Sequence, residues 1–303
     1  MATNTSNIPA LLRSGLAMVF GQYHTHPDQY KQIYQLLTSD KNFEQDVEMR
    51  YLGPASIVTE GENIASDSMA QRFTTTYKHV RTALQTPFTK ISWDDNLYKS
   101  EFPQQLMALR QSMRITKNTL AAAVFNNAFN TNYPIADGQP LCSTAHPIDG
   151  GVISNTFGAG TATVDLSEAA LEQAIIMIQQ YKSLSGILAN VMQKKLLIPP
   201  QLQFTAARIL KSTNRVDTAN NDINAIYHGD FIPQGYTINN YLSSPTSWFL
   251  LTNADNSFKC YQREKIDFDS YVEFQNDNIL FKVSERFSFG CSNWRGVFGS
   301  PGV

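Results

Sequence analysis

VEMRYLGPASIVTEGENIASDSMAQRFTTTYKHVRTAL, residues 47–84, holds two β-like runs around a polar middle. Val47, Met49 and Tyr51 alternate with polar neighbours, which is the period of a strand. Gly53 and Pro54 break that run. Residues 59–70 are polar and almost free of large apolar side chains, and residues 72–84, with four threonines and Tyr77, read as a second strand run. The pattern predicts a long hairpin with little apolar surface of its own. A two-stranded hairpin is marginal in water by itself. It must therefore lie on something, either the body of its own chain or a neighbouring copy.

The segments on either side complete the outline. Residues 1–46 open with a polar tail, then an apolar, helix-like patch over 10–20. Ile33, Leu36 and Leu37 give a second helical spacing over 30–37. Beyond the hairpin, Ser100 is a good N-cap, Glu101 suits the positive helix end, and Pro103 falls in the tolerated first turn. Phe102, Leu106, Leu109, Met113, Leu120 and Val124 then keep one helical stripe. A helix over 101–130 would be a strut of roughly 45 Å. Residues 131–165, rich in Gly and Pro, are longer than an ordinary connection. Residues 166–250 read as α/β. Ser167 caps a helix reaching 185, with Gly186 at its C-cap. A strand over 195–198, a helix over 202–211, a polar loop over 212–224 and strands over 236–242 and 248–252 follow. Residues 251–303 are β-rich, with strands over 257–263, 265–274, 279–289 and 294–298 and a turn at Gln275, Asn276, Asp277 and Asn278.

Composition narrows the function classes. Charged residues are 17% of the 303, against about 25% in ordinary soluble proteins. Twenty-three Asn and 20 Gln take up much of the difference. An aromatic content of 11% and a net charge of -2 exclude a disordered chain. With 24 basic against 26 acidic residues there is no excess for gripping nucleic acid. A surface poor in Lys, Glu and Asp and rich in aromatics suits extensive protein–protein contact. No apolar run approaches the roughly 20 residues of a membrane span. Arg13 within the apolar patch, with no basic region before it, argues against a signal peptide. Cys142, Cys260 and Cys291 read as reduced thiols of a protein made in a cytoplasm.

Reactive motifs are few. There is no Gly-Lys pair for a phosphate loop, no His-Glu-x-x-His and no Gly-x-Ser-x-Gly. His24, His26 and Asp28 lack a fourth metal donor nearby, and a chance pairing of loop histidines is the better reading. Cys142 and His146 could form a thiol nucleophile and its base. Catalytic Cys–His pairs, however, are normally distant in sequence, and Cys is a common small core residue. Asp94 and Asp95 suit the start of the long helix. Asp267 and Asp269 alternate on one strand face. These carboxylates read as structural. No catalytic residue, cofactor site or metal site is expected.

A resemblance adds to this reading. PLCSTAHP (140–147), LSEAAL (166–171), LLIPPQL (196–202), ILKS (209–212) and DIN (222–224) occur in order, followed by ERFSFG (285–290) and WRGVFGSP (294–301). Together with VFNNAF (124–129), they resemble major capsid proteins of tailed bacteriophages. The similarity is to the Mu-like major head subunit type of the Hong Kong 97 fold, from about residue 50 onward. It implies an α+β chain: an N-terminal arm (1–46), an extended loop hairpin (47–78), a peripheral domain with its spine helix (79–165 and 251–303), and an axial α/β domain (166–250). It implies inter-subunit contacts from Asn214, Arg215, Asp217, Asn220 and Asp222 at the axial tip. On the extended loop it implies contacts from Glu60, Glu62, Asn63, Asp67 and Arg72. Gln275, Asn276, Asp277 and Asn278 would form a turn near threefold axes.

The implied partners are copies of the chain in pentamers and hexamers, a portal protein, decoration or cement proteins, and double-stranded DNA packed nonspecifically inside. A hairpin starting by residue 47 leaves no room for a long N-terminal scaffolding segment, so a separate scaffolding protein is expected. The implied location is the virion capsid, assembled in the host bacterial cytoplasm, with no membrane. Two other classes stay open at this point: a cytoplasmic Cys/His-dependent hydrolase around Cys142, and another virion component such as a tail-tube protein.

Overall fold

A computed structural model describes residues 28–91, 101–158, 163–215 and 222–303. In chain order the elements are β1 (Gln35–Thr38), β2 (Phe43–Arg50), β3 (Ala70–Lys78), β4 (Val80–Phe88), α1 (Glu101–Asn126), β5 (His146–Ile148) and β6 (Gly151–Ile153). There follow α2 (Glu168–Gln179), β7 (Gln193–Ile198), α3 (Gln203–Lys211), α4 (Ala225–His228), β8 (Tyr236–Ile238), β9 (Trp248–Thr252), β10 (Phe258–Val272), β11 (Ile279–Cys291) and β12 (Val297–Ser300). The fold is mixed α+β. No helix among the described residues is long and apolar enough to cross a membrane.

The chain forms two compact units. The first takes residues up to Glu44, Lys78–Ala121 and Cys260–Ser288. Its sheet has the order β1-β10-β11-β4, with β11 antiparallel to β4 and Ile279 opposite Phe88. The helical stripe of α1 supplies Leu106, Leu109 and Met113, which bury against Phe88, Ile279, Phe281 and Val283. Phe281 meets Phe88 edge-on at 5.0 Å and stacks with Phe268 at 5.6 Å. Each such side chain contributes about 1.5–3 kcal/mol on burial.

The second unit takes Gln45–Tyr77, Ala122–Lys259 and Phe289–Val303. Its sheet has the order β12-β9-β7-β8, with β7 and β8 parallel and the other pairs antiparallel. The C-terminal strand thus returns to the α/β region. Trp248, Phe298, Leu171, Ile178, Leu196 and Ile198 lie in one core there. Two short sheets, β2-β3 and β5-β6, complete this unit.

Several sequence expectations change. Residues 30–37 form no α-helix: a 3-10 turn, Gln29–Gln32, leads into β1, which takes up Leu36 and Leu37. Tyr30 and Tyr34 are pinned to α1. The Tyr30 amide donates to Asn118 Oδ1 (3.3 Å), and the Tyr34 hydroxyl donates to the Ala121 carbonyl (2.7 Å). The following residues then pair with β10. Residues 72–84 are two strands: β3 pairs with β2, and β4 joins the β10–β11 sheet. The helix begun at Ser167 stops at Gln179. Gly186 lies in the following turn, at φ +78°, where the Ser183 amide donates to the Ile187 carbonyl. The long helix ends at Asn126 rather than 130. The strands expected over 257–263 and 265–274 are one, β10. Residues 10–20, His24, His26, Asp94, Asp95 and Ser100 lie outside the described residues.

Candidate inter-subunit surfaces

Strand β2 holds its body with the face that carries charge. Asp46, Glu48 and Arg50 alternate along it, so they share one face. The Asp46 carboxylate accepts from Lys259 Nζ (2.5 Å) and Ser292 Oγ (2.6 Å). Glu48 Oε1 accepts from Arg295 Nη1 at 2.7 Å. Burial pushes the Glu48 carboxyl above its ordinary range, while Arg295 pulls the other way. Arg50 Nε donates to Asp149 Oδ2 at 2.5 Å, and Arg72 on β3 reaches the same carboxylate at 3.1 Å. The alternate set, Val47, Met49 and Tyr51, is the apolar one, yet Val47 and Tyr51 are exposed. Beside this strand, a groove of about 760 Å³ has Val47, Tyr51, Leu52, Ile187 and Leu188 among its lining residues.

Between the strands, residues 51–69 form a tip with almost no regular structure. Asp67 organises its base. Its carboxylate accepts from the Gly53 amide (2.7 Å), the Ser68 amide (2.8 Å) and Arg50 Nη1 (3.0 Å). These bonds, the Gly53 amide foremost, hold the carboxyl down at about 2. Glu62 closes the tip turn: its amide donates to the Thr59 carbonyl and its carboxylate accepts from the Thr59 amide. Gly61 at φ +90° makes that turn possible. Glu60 and Asn63 face solvent. So do Ile57 (96% exposed) and Ile64 (83%), and Leu52 and Met69 are exposed as well. Of the charged residues expected to meet a neighbour, Asp67 and Arg72 bind within their own hairpin and unit. The apolar tip residues were not singled out from the sequence. Their signal was two isoleucines in a segment otherwise too polar to bury them.

At the polar loop between α3 and α4, Asn214, Arg215 and Asp222 are described, whereas Asp217 and Asn220 lie outside the described residues. The Arg215 amide donates to the Asp222 carbonyl at 2.7 Å, and its side chain reaches Glu168 at 3.3 Å. Asn214 bridges Ile223. Buried Asn224 clamps the base: it caps α4 through the Ile226 and Tyr227 amides and donates to the Ile209 and Ser212 carbonyls. In the first unit, the β10–β11 turn holds Asp277 at φ +54°, bound to Lys90 Nζ at 3.1 Å. The Glu273 amide donates to the Asn278 carbonyl, and Gln275 and Asn276 are exposed beside a fully exposed Phe274.

Cys142 and His146 do not form a reactive pair. Both are buried. His146 Nδ1 lies 2.6 Å from Asp137 Oδ2 and Nε2 lies 3.1 Å from Asn155 Oδ1. Its ring stacks on Trp294 with centroids 4.4 Å apart. Both nitrogens are therefore engaged by oxygens, and neither is open to take a thiol proton. Burial pushes the Cys142 thiol well above its ordinary range, away from thiolate chemistry. Asp28 binds Lys31 and Arg114. No group of three or more metal-ligating side chains occurs among the described residues.

The hairpin ties down its charges and leaves aliphatic side chains exposed at its tip, the surface character of a protein-binding class of chain. Comparison with known proteins gives that class a family. Residues 72–299 match the phage capsid protein family, and the chain belongs to it. No curated protein matches the sequence. A structure from Microbacterium phage Oxtober96 is 11% identical, with 92% of this chain and 91% of that chain covered and a TM-score of 0.57. The virus-like particle from Pyrococcus furiosus is 9% identical, covering 95% and 97%, with a TM-score of 0.54. The procapsid of bacteriophage JBD30 is 15% identical, covering 98% and 76%, with a TM-score of 0.53. At these identities the likeness is one of fold. The family membership carries the structural role in a virion capsid.

Proposed function

We propose that this chain is the major head subunit of a tailed phage, of the Hong Kong 97 fold and Mu-like type. In this reading it assembles into pentamers and hexamers of an icosahedral shell around double-stranded DNA. The observation that carries it is the hairpin, whose charged face holds its own unit while Val47, Tyr51, Ile57 and Ile64 stay open. Exposed aliphatic side chains at one hairpin tip favour a protein partner. In a shell of identical subunits that partner is the adjacent copy. The hairpin is the extended loop of this reading, α1 the spine helix, and the polar loop over 212–224 the axial tip that meets its symmetry mates. The Gln275–Asn278 turn would sit near threefold axes. Assembly in the host cytoplasm on a separate scaffolding protein, with a portal and optional cement proteins, belongs to the same reading. With no basic excess, binding to DNA would be weak and strongly salt-dependent.

Electron microscopy and sedimentation of the purified chain test the proposal. Shells, rings of five or six, or capsomer tubes are expected. A protein that stays a small oligomer at high concentration, with and without scaffolding partner, would overturn it.

A further inference from the structure

Three side chains of different elements converge inside the first unit: Lys117 of α1, Gln262 of β10 and Glu285 of β11. Lys117 and Glu285 are 6% and 4% exposed. Lys117 Nζ donates to Glu285 Oε1 and, at 3.2 Å, to Gln262 Oε1. Gln262 Nε2 donates to the same carboxylate oxygen at 2.6 Å. The network fixes the amide's orientation, because a flipped amide would set its NH2 against the ammonium. Aromatic rings wall the site. Nζ lies 5.1 Å from the Tyr30 centroid and 4.8 Å from that of Phe287. Cys260, wholly buried, is also close enough to feel both charges.

As an ion pair alone this arrangement is a poor stabiliser, because two desolvated charges rarely outdo apolar packing. As a reaction site it is complete. An amine, a carboxamide and a carboxylate touching both are held in a largely dry pocket by three separate elements.

We propose that Lys117 and Gln262 join in a self-catalysed isopeptide bond, with Glu285 relaying the proton. Glu285 takes a proton from the Lys117 ammonium and leaves a neutral amine with a free lone pair. That nitrogen attacks the Gln262 carboxamide carbon, and the carboxyl of Glu285 donates toward the amide. The bond from the carbon to Nε2 then breaks and Nε2 departs as ammonia with the relayed proton, while the second proton of the attacking nitrogen passes through Glu285 to that ammonia. The sum is ammonium plus carboxamide giving a secondary amide plus an ammonium ion. Glu285 ends as the carboxylate it began as, and no oxidant, metal or further reactant is needed. Holding the groups in contact supplies the proximity such a single turnover needs. The rings favour the ammonium before reaction and keep out water that would compete as a nucleophile. Gln262 is only partly buried, which leaves ammonia a way out. The product would pin the long helix to the sheet beneath it within one subunit, and it does not depend on assembly.

The test is the intact mass of the purified wild-type chain, followed by peptide mapping. The expected result is a species lighter than the chain by one ammonia, with a branched peptide joining Lys117 to Gln262. It should be absent in Lys117→Arg and Glu285→Gln. Gln262→Glu, which keeps the shape but has no amide nitrogen to lose, should show no loss of ammonia. The wild-type measurement stands even where a variant fails to fold. A folded wild-type chain that keeps its full mass after prolonged incubation would overturn the proposal. So would ammonia loss mapped to any other residue.

Discussion

Asn155 shows how much one short side chain can hold. Its Oδ1 accepts from the Ser143 amide at 2.7 Å and faces His146 Nε2, while Nδ2 donates to the carbonyls of Leu141, Trp294 and Val297. It is wholly buried and joins the loop before β5 to the C-terminal strand. Truncation would leave several buried polar groups unmatched. We expect Asn155→Ala to cost about 3 kcal/mol or more, read as a lower midpoint in denaturant unfolding. The run 140–147 stood out in the sequence because it bears Cys and His. Asn155 did not, because one Asn among 23 reads as a solvated loop residue until its partners are known. Asp67 makes a second expectation at this scale. Its folded value, about 2, lies below the ordinary 3.8. A depressed carboxylate stabilises at pH above its ordinary value, and that contribution is lost as the pH falls toward the folded one. Amide exchange at Gly53 and Ser68 should therefore lose protection between about pH 4 and pH 2, and Asp67→Asn should flatten that change. A wild-type profile that is already flat would contradict the assignment.

At the scale of elements, periodicity told strand from helix in the long segments but not over 30–37, and not always which face looks inward. Alternation at Val47, Met49 and Tyr51 was readable, and so was the hairpin. That the charged set 46, 48 and 50 would face the body was not readable, because its partners Asp149, Lys259, Ser292 and Arg295 lie far along the chain. The helical reading of 30–37 failed for a related reason: Ile33, Leu36 and Leu37 have helical spacing, but long-range bonds from Tyr30 and Tyr34 to Asn118 and Ala121, and pairing of β1 with β10, set the local structure. The strut helix was legible because its stripe is long and uninterrupted. The tip makes the sharpest expectation. Ile57 and Ile64 contribute little to the isolated fold at their exposure, and surface changes usually stay within about 0.5 kcal/mol. The double variant Ile57→Asp, Ile64→Asp should melt like the wild type and fail to assemble, as read by sedimentation. A variant that assembles normally would remove the tip from the interface.

For the whole molecule, the question is what holds copies together. A covalent link from the extended hairpin would need a lysine there as nucleophile, since arginine stays protonated and cannot serve. Residues 47–77 contain none; their basic residues are Arg50 and Arg72. Both guanidinium groups bind Asp149, and Arg50 also binds Asp67. Lys78 stands at the foot of β3, far along the strand from the tip. The chain therefore offers a neighbour aliphatic side chains and backbone from its hairpin, not a nucleophile. A shell of such subunits would be held by many noncovalent contacts, whose strength comes from repetition around closed symmetry rather than from any one bond. Mature particles boiled in detergent and reductant should run as a single band near the 33.9 kDa of the monomer. The internal link between Lys117 and Gln262 would not alter that band's multiplicity, so the gel and the mass measurement report on separate questions. A ladder of dimers and higher multimers that survives heat and reductant would show that copies are joined from some other lysine.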